Sequence, residues 1–179
     1  MTDAPGRRFL IRYSIQRWED GKWFYGSLFV VFAALALFNL VEKRSIVSYV
    51  PVLVLDGIIL VALYLMRRVS YVEVGQDGII IRYVFHRISL PYTALSKVRR
   101  QALEVAFQPA ERRRLVNRFV RRLSKQPAAY IRLDRRNPDL LAEAERRLGA
   151  RMVAGPDIVI PLVDVDQFVA AMKGRLRGA

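Results

Sequence analysis

The sequence predicts an α+β membrane protein in which a two-helix transmembrane hairpin precedes an antiparallel β domain that ends in a capping helix. Three observations support this class: two long apolar runs in the first third of the chain, period-2 alternation after them, and an apolar stripe with helical spacing near the end. The chain has 179 residues. The roughly 110 residues that follow the hairpin are enough for one hydrophobic core.

The two apolar runs predict a transmembrane hairpin over residues 23–66. The first helix is expected at 23–41, which contains no ionisable residue, and the second at 46–66, which contains only Asp56. A helix of the first length is roughly 28 Å long, which matches the hydrocarbon core of a bilayer. A cleaved signal peptide is the alternative for the first run, but the run is longer than a usual signal sequence and begins late.

Charge on either side of the hairpin predicts its orientation. Residues 1–22 form a basic segment, the connector offers Lys43 and Arg44 beside Glu42, and the chain from Arg67 onward carries 23 Lys and Arg against 11 Asp and Glu. Basic residues accumulate on the cytoplasmic side of membrane proteins. We therefore expect a multi-pass protein with both termini in the cytoplasm.

Alternating apolar residues predict a β domain after the hairpin. A strand over 69–74 and a second over 79–85, with Tyr83 and Phe85 on its apolar face, flank an Asp-Gly turn. Further strands are expected at 88–90, 97–107, 130–133 and 158–162, a surface helix at 138–148 and a final amphipathic helix at 165–176.

Two stretches of this domain resemble a known family. Residues 71–98, YVEVGQDGIIIRYVFHRISLPYTALSKV, resemble the opening of bacterial pleckstrin-homology-like (PH-like) domains, and residues 158–172, IVIPLVDVDQFVAAM, are similar to their last strand and helix. The resemblance covers about residues 69–176. It implies a cytoplasmic domain over 67–179, a seven-stranded bent β-barrel or sandwich capped by a helix. It also implies a binding or assembly module in the bacterial inner membrane.

The chain departs from the family pattern at residues 108–127, where a basic helical insertion is expected. Residues 110–125 place apolar side chains on one side of a helix and basic side chains on the other. The basic side consists of Arg114, Arg118, Arg121, Arg122 and Lys125. It could contact anionic lipid headgroups, at about 1 kcal/mol per residue, or an acidic partner protein, or only solvent. Nucleic acid is not expected, because no aromatic residues interleave with these charges.

Asp56 is the one ionisable residue predicted inside the second helix. A carboxylate near the bilayer centre costs on the order of 3 kcal/mol on insertion scales. It could contact another helix or a second copy of the chain, it could be protonated or reached by water inside the hairpin, or it could belong to a transport pathway.

The residue inventory favours binding over catalysis. The chain has no cysteine, which excludes thiol chemistry and cysteine-bound zinc, and its single histidine, His86, leaves little room for a histidine-based metal site. No paired carboxylates or nucleophile–base set appears, so we expect no enzyme, metal or cofactor. The expected function is a non-enzymatic membrane-anchored module that scaffolds or assembles a membrane complex or engages anionic lipid. The alternative is an accessory subunit that contacts a transporter or membrane enzyme through the hairpin.

Overall fold

The computed structural model describes residues 6–106, 123–134, 136–149 and 152–176. The chain divides into a helical unit, Tyr13–Arg68, and a β unit that combines the residues up to Arg12 with those from Val69 onward. The described residues form two antiparallel sheets and four α-helices, which confirms the predicted α+β class.

Two helices form the helical unit: α1, Arg12–Val41, and α2, Val50–Val69. Both are long and apolar enough to span a membrane, and almost none of their most apolar stretch is buried inside the molecule. Helix α1 begins well before residue 23, because residues 12–22 hold no proline and a single glycine that could interrupt it. Helix α2 begins at Val50 instead of residue 46, because Pro51 suits the first turn of a helix, and it extends past Met66 to Val69.

The first sheet has the strand order β1-β2-β3-β4, and every neighbouring pair is antiparallel. Its inward side chains alternate as predicted, with Val72, Ile79 and Ile81 fully buried. The strands are β1 (Arg7–Leu10), β2 (Tyr71–Val74), β3 (Gly78–Tyr83) and β4 (His86–Pro91).

Strand β1 changes the predicted domain boundaries. The segment 1–22 was expected to be separate from the β domain, yet β1 pairs with β2 from Arg7↔Val74 to Leu10↔Tyr71. The sequence offered only Phe9 and Ile11, two apolar residues at strand spacing among arginines, as a signal. The β unit is therefore built from residues on both sides of the helical unit.

The second sheet has the order β5-β6-β8-β7. Helix α3 follows β6 in the chain, and helix α4 ends the described residues and contacts β5 and β6. Both helices have the bounds that the sequence predicts. The elements are β5 (Leu95–Ala102), β6 (Pro127–Leu133), α3 (Pro138–Leu148), β7 (Val153–Ala154), β8 (Asp157–Ile160) and α4 (Val165–Leu176).

Four predicted strands are shorter in the structure. The strand expected over 69–74 begins at Tyr71, because α2 extends to Val69, and the strand expected over 158–162 ends at Ile160. The other two end early. The strand expected to continue through Phe85 ends at Tyr83, where the chain turns into β4. The strand expected over 97–107 ends at Ala102, and a short 3-10 helix, Leu103–Ala106, follows it. In both cases the apolar residues keep alternating along the sequence, but the residues beyond Tyr83 and Ala102 have no partner in a neighbouring strand, so the strand ends there.

Helix α4 closes the core of the β unit. Phe168 on α4 is fully buried, and its ring packs edge-to-face against that of Phe9 on β1, with centroids 5.3 Å apart. The core thus joins the C-terminal helix to a strand that precedes α1. Other fully buried side chains come from both sheets and the connections: Ile11, Leu90, Leu103, Ile131, Met152, Ile158, Ile160 and Leu162.

Candidate functional site

The predicted basic face falls mostly on residues that the structure does not describe. Arg114, Arg118, Arg121 and Arg122 lie outside the described residues. Lys125 is exposed in the turn that leads into β6. The lipid- or partner-binding role of these five residues stays a prediction.

Helices α1 and α2 contact each other as an antiparallel pair. At one end, the rings of Trp18 and Tyr64 meet edge-to-face with centroids 5.7 Å apart. At the other end, the Asn39 amide nitrogen donates to the Tyr49 hydroxyl at 3.1 Å and to the Leu35 carbonyl at 2.9 Å. The side-chain amide of Asn39 thus makes both of these hydrogen bonds at this end of the helical pair.

Asp56 lies in the first half of α2 and is buried inside the helical unit. It is 4% exposed, whereas its neighbours Val54, Leu55 and Ile58 are all more than half exposed. Its Oδ2 has no hydrogen-bond partner among the described residues. The carboxyl therefore lies on the protected side of α2, and the outer side of this helix is apolar.

The chain enters α1 and leaves α2 at one hydrogen-bonded junction. Ile11, which precedes α1, donates its amide to the carbonyl of Ser70, which follows α2, at 3.2 Å. Arg12 donates its amide to the Pro161 carbonyl at 2.8 Å, and Ile11 and Ser70 are fully buried. The residues that lead into α1 and out of α2 are thus hydrogen-bonded neighbours within the β unit. Sequence reasoning missed this junction because it depends on β1.

A two-residue loop joins β3 to β4 beside the junction. Val84 has a φ of 54°, a conformation that β-branched residues rarely adopt, and its amide donates to Ser70 Oγ at 3.2 Å. Phe85 follows and is 94% exposed. We call residues 82–87 the tip loop. The sequence pattern predicts Phe85 on the apolar face of a strand. In the structure Phe85 lies in the two-residue turn, and its side chain is exposed.

A buried carboxylate joins three strands of the second sheet. Asp157 on β8 accepts two hydrogen bonds from Arg132 on β6, at 2.8 and 3.0 Å, and one from Arg99 on β5 at 2.9 Å. Burial alone raises the pKa of the Asp157 carboxyl, but the hydrogen bonds and charges of Arg132 and Arg99 outweigh burial and hold that pKa below its ordinary value. The cluster is structural, because every oxygen of the carboxylate is occupied.

Two buried tyrosines fasten the ends of strands. The Tyr130 hydroxyl donates to the Ala102 carbonyl at 2.6 Å, and the Tyr92 hydroxyl donates to the Gly75 carbonyl at 2.8 Å. Burial raises the pKa of both hydroxyl groups, so both stay neutral donors. They serve the fold and leave no free reactive group at these positions.

We expect Asp157→Asn to lower the free energy of unfolding of the β unit by about 1–3 kcal/mol at neutral pH, because two arginines lose a charged acceptor. A carboxyl with a lowered pKa in the folded state stabilises the fold above its unfolded pKa. That contribution disappears as the pH falls from the ordinary aspartate pKa through the lower pKa of the folded state. Denaturant unfolding of the native protein and of the Asp157→Asn variant at several pH values measures the difference in their unfolding free energies.

Asp166 provides the matched control for this prediction. It also binds an arginine, Arg100, at 2.8 Å, but its side chain is 71% exposed. Asp166→Asn should change the unfolding free energy by less than about 1 kcal/mol. Equal effects of the two substitutions would show that the buried cluster has no special role.

Among the described residues, no group of His, Asp or Glu side chains could hold a metal ion. Comparison of the chain with protein-family models, with curated proteins and with solved structures finds no match in any of the three.

Proposed function

We propose that this chain is a non-enzymatic PH-like module, anchored in the bacterial inner membrane, that scaffolds or assembles a membrane protein complex or engages anionic lipid headgroups. One observation carries the proposal: β1 precedes α1, β2 follows α2, and the two strands are neighbours in one sheet. A chain that crosses a bilayer in α1 must return in α2 for these strands to pair. The β unit is then held at one membrane surface.

The charges at the helix ends support a cytoplasmic position for the β unit. Arg67 and Arg68 lie in the last turn of α2, and Arg68 donates to the Tyr64 hydroxyl at 2.9 Å. Tyr64 packs against Trp18, so aromatic and basic residues meet at the same end of the helical pair. This arrangement is typical of the cytoplasmic interface of membrane helices.

The use of acidic side chains supports a binding module over an enzyme. Three acidic residues of the β unit form ion pairs between elements: Glu73 binds Arg8 between β1 and β2, Asp157 binds arginines of two strands, and Asp166 of α4 binds Arg100 of β5. Two antiparallel sheets with a C-terminal helix also agree with the PH-like resemblance. Such modules act through surfaces and loops.

Affinity purification of the full chain from its own membranes in mild detergent tests the scaffold proposal. A membrane protein recovered in fixed stoichiometry supports it. Replacement of Arg114, Arg118, Arg121 and Arg122 by Gln should then release that protein if the basic face holds it. Recovery of neither a protein nor enriched anionic lipid with the native chain would contradict the proposal.

The alternative is an accessory subunit that binds its partner through the helical pair. The buried Oδ2 of Asp56, which lacks a hydrogen bond among the described residues, favours it, because a helix that brings a donor would satisfy this atom. Asp56→Leu should then abolish recovery of the partner. Partner recovery that survives Asp56→Leu but not the arginine replacements favours the scaffold instead.

A further inference from the structure

Phe85 is the most exposed large apolar side chain among the described residues of the β unit. It is 94% exposed, and Val84, which precedes it, holds a left-handed backbone conformation. A β-branched residue adopts this conformation only when the surrounding structure enforces it. The backbone of the tip loop is thus held in a conformation that leaves the Phe85 ring exposed.

The tip loop lies at the end of the first sheet where β1 leads into α1 and where β2 begins after α2. Arg82 at the end of β3 pairs with Tyr71, and Tyr71 pairs with Leu10, the last residue of β1. The Val84 amide also binds Ser70, one residue beyond the end of α2. One residue spans at most about 3.6 Å. Any membrane that α2 enters therefore begins within a few residues' length of the tip loop.

The charges of the tip loop match an anionic surface. Arg82, His86 and Arg87 are exposed beside Phe85, and residues 82–87 contain no acidic side chain. The nearest carboxylate along β2, Glu73, is paired with Arg8 at 2.9 Å. Arginine binds phosphate oxygens well, and aromatic rings are favoured at the level of the headgroups.

We propose that the tip loop is a second membrane contact: Phe85 inserts into the interfacial layer of an anionic bilayer while Arg82 and Arg87 contact lipid phosphates. The inference rests on the proposed function, since it requires α1 and α2 to span that bilayer. It assigns the headgroup-binding part of that function to a rigid hairpin next to the junction. Continuity with the spanning helices and the matching charge select lipid over a protein as the occupant.

Nitroxide labelling of the full chain tests the proposal, because the chain has no native cysteine to block. His86→Cys places a label beside an intact Phe85. The labelled protein is reconstituted in phosphatidylcholine vesicles with and without phosphatidylglycerol. The ratio of collisions with oxygen to collisions with a water-soluble nickel chelate then reports the depth of the label.

Two further labelling sites separate the outcomes. Gln76→Cys lies in the exposed turn between β2 and β3, at the opposite end of these strands, and should read as water. Val30→Cys lies on an exposed part of α1 and should read as hydrocarbon if the helix spans the bilayer. The depth at position 30 thus tests the proposed function by itself.

We expect the label at position 86 to read as interfacial, to lie deeper with phosphatidylglycerol, and to reach the water value of position 76 when Phe85→Ser is added. Val105→Ser, which removes another exposed apolar side chain, should leave the reading unchanged. A water reading at 86 together with a hydrocarbon reading at 30 would overturn the tip contact while the anchor stands. Immobilisation of a water-exposed label only by added membrane proteins would also overturn it and assign the tip loop to a protein.

Discussion

Phe9→Ala is expected to lower the free energy of unfolding of the β unit by about 3–5 kcal/mol, the usual cost of truncating a buried phenylalanine. Phe9 is 4% exposed and packs edge-to-face against Phe168 of α4. The substitution therefore leaves a cavity between the first sheet and the C-terminal helix. Limited proteolysis of the full chain in detergent, with the cleavage sites assigned by mass spectrometry to the β unit, measures this loss.

Leu10→Ala is the control for the Phe9 prediction. Leu10 lies in the same strand, one residue closer to α1, and is 41% exposed. Its truncation should cost less than about 1 kcal/mol. If Phe9→Ala costs no more than Leu10→Ala, β1 does not belong to the core and the division of the chain into two units is wrong.

Asp56→Leu should make insertion of α2 into a membrane more favourable by up to about 3 kcal/mol, the difference between aspartate and leucine at the centre of a membrane helix. The carboxyl is buried in the helical unit and one of its oxygens has no hydrogen bond among the described residues. Replacement of Asp56 therefore breaks no hydrogen bond of that oxygen. The inserted fraction of α2 in a glycosylation-mapping assay measures the change.

An exchange of two neighbouring residues is the control for the Asp56 prediction. The double substitution Leu55→Asp and Asp56→Leu keeps the composition of α2 but moves the carboxyl to a position that is 60% exposed in the native chain. Hydropathy alone predicts no change, whereas the structure predicts poorer insertion and a less stable helical pair. Insertion equal to that of the native chain would show that the burial of Asp56 is irrelevant.

Local sequence patterns were sufficient for the regular elements of the β unit. The apolar stripe of α4 and the bounds of α3 follow from helical periodicity, and Val72 and Ile79 face inward as alternation predicts. The Asp-Gly turn also forms, since Gly75 donates its amide to the Gly78 carbonyl at 2.9 Å. These features depend on residues close in sequence, which is why the sequence alone predicts them.

Features that depend on distant pairing could not be predicted in this way. β1 has four residues, three of which are not buried, and it is a strand only because β2 lies beside it. Phe85 continues the apolar alternation of β3, but the hairpin register ends that strand at Tyr83, which pairs with His86. The junction and the tip loop both follow from these two pairings. A sequence pattern carries no information about which distant strand closes a sheet.

The side-specific accessibility of single cysteines is the most direct test of the central claim, that α1 and α2 span a bilayer and return to one β unit. Cysteines at Arg8, at Gln76 and at Val47 between the two helices are exposed to a membrane-impermeant maleimide in cells with an intact inner membrane. The account predicts that only position 47 reacts from outside, and that positions 8 and 76 react together after the inner membrane is opened. Reaction of positions 8 and 76 from opposite sides, or of position 47 from the same side as both, would contradict it.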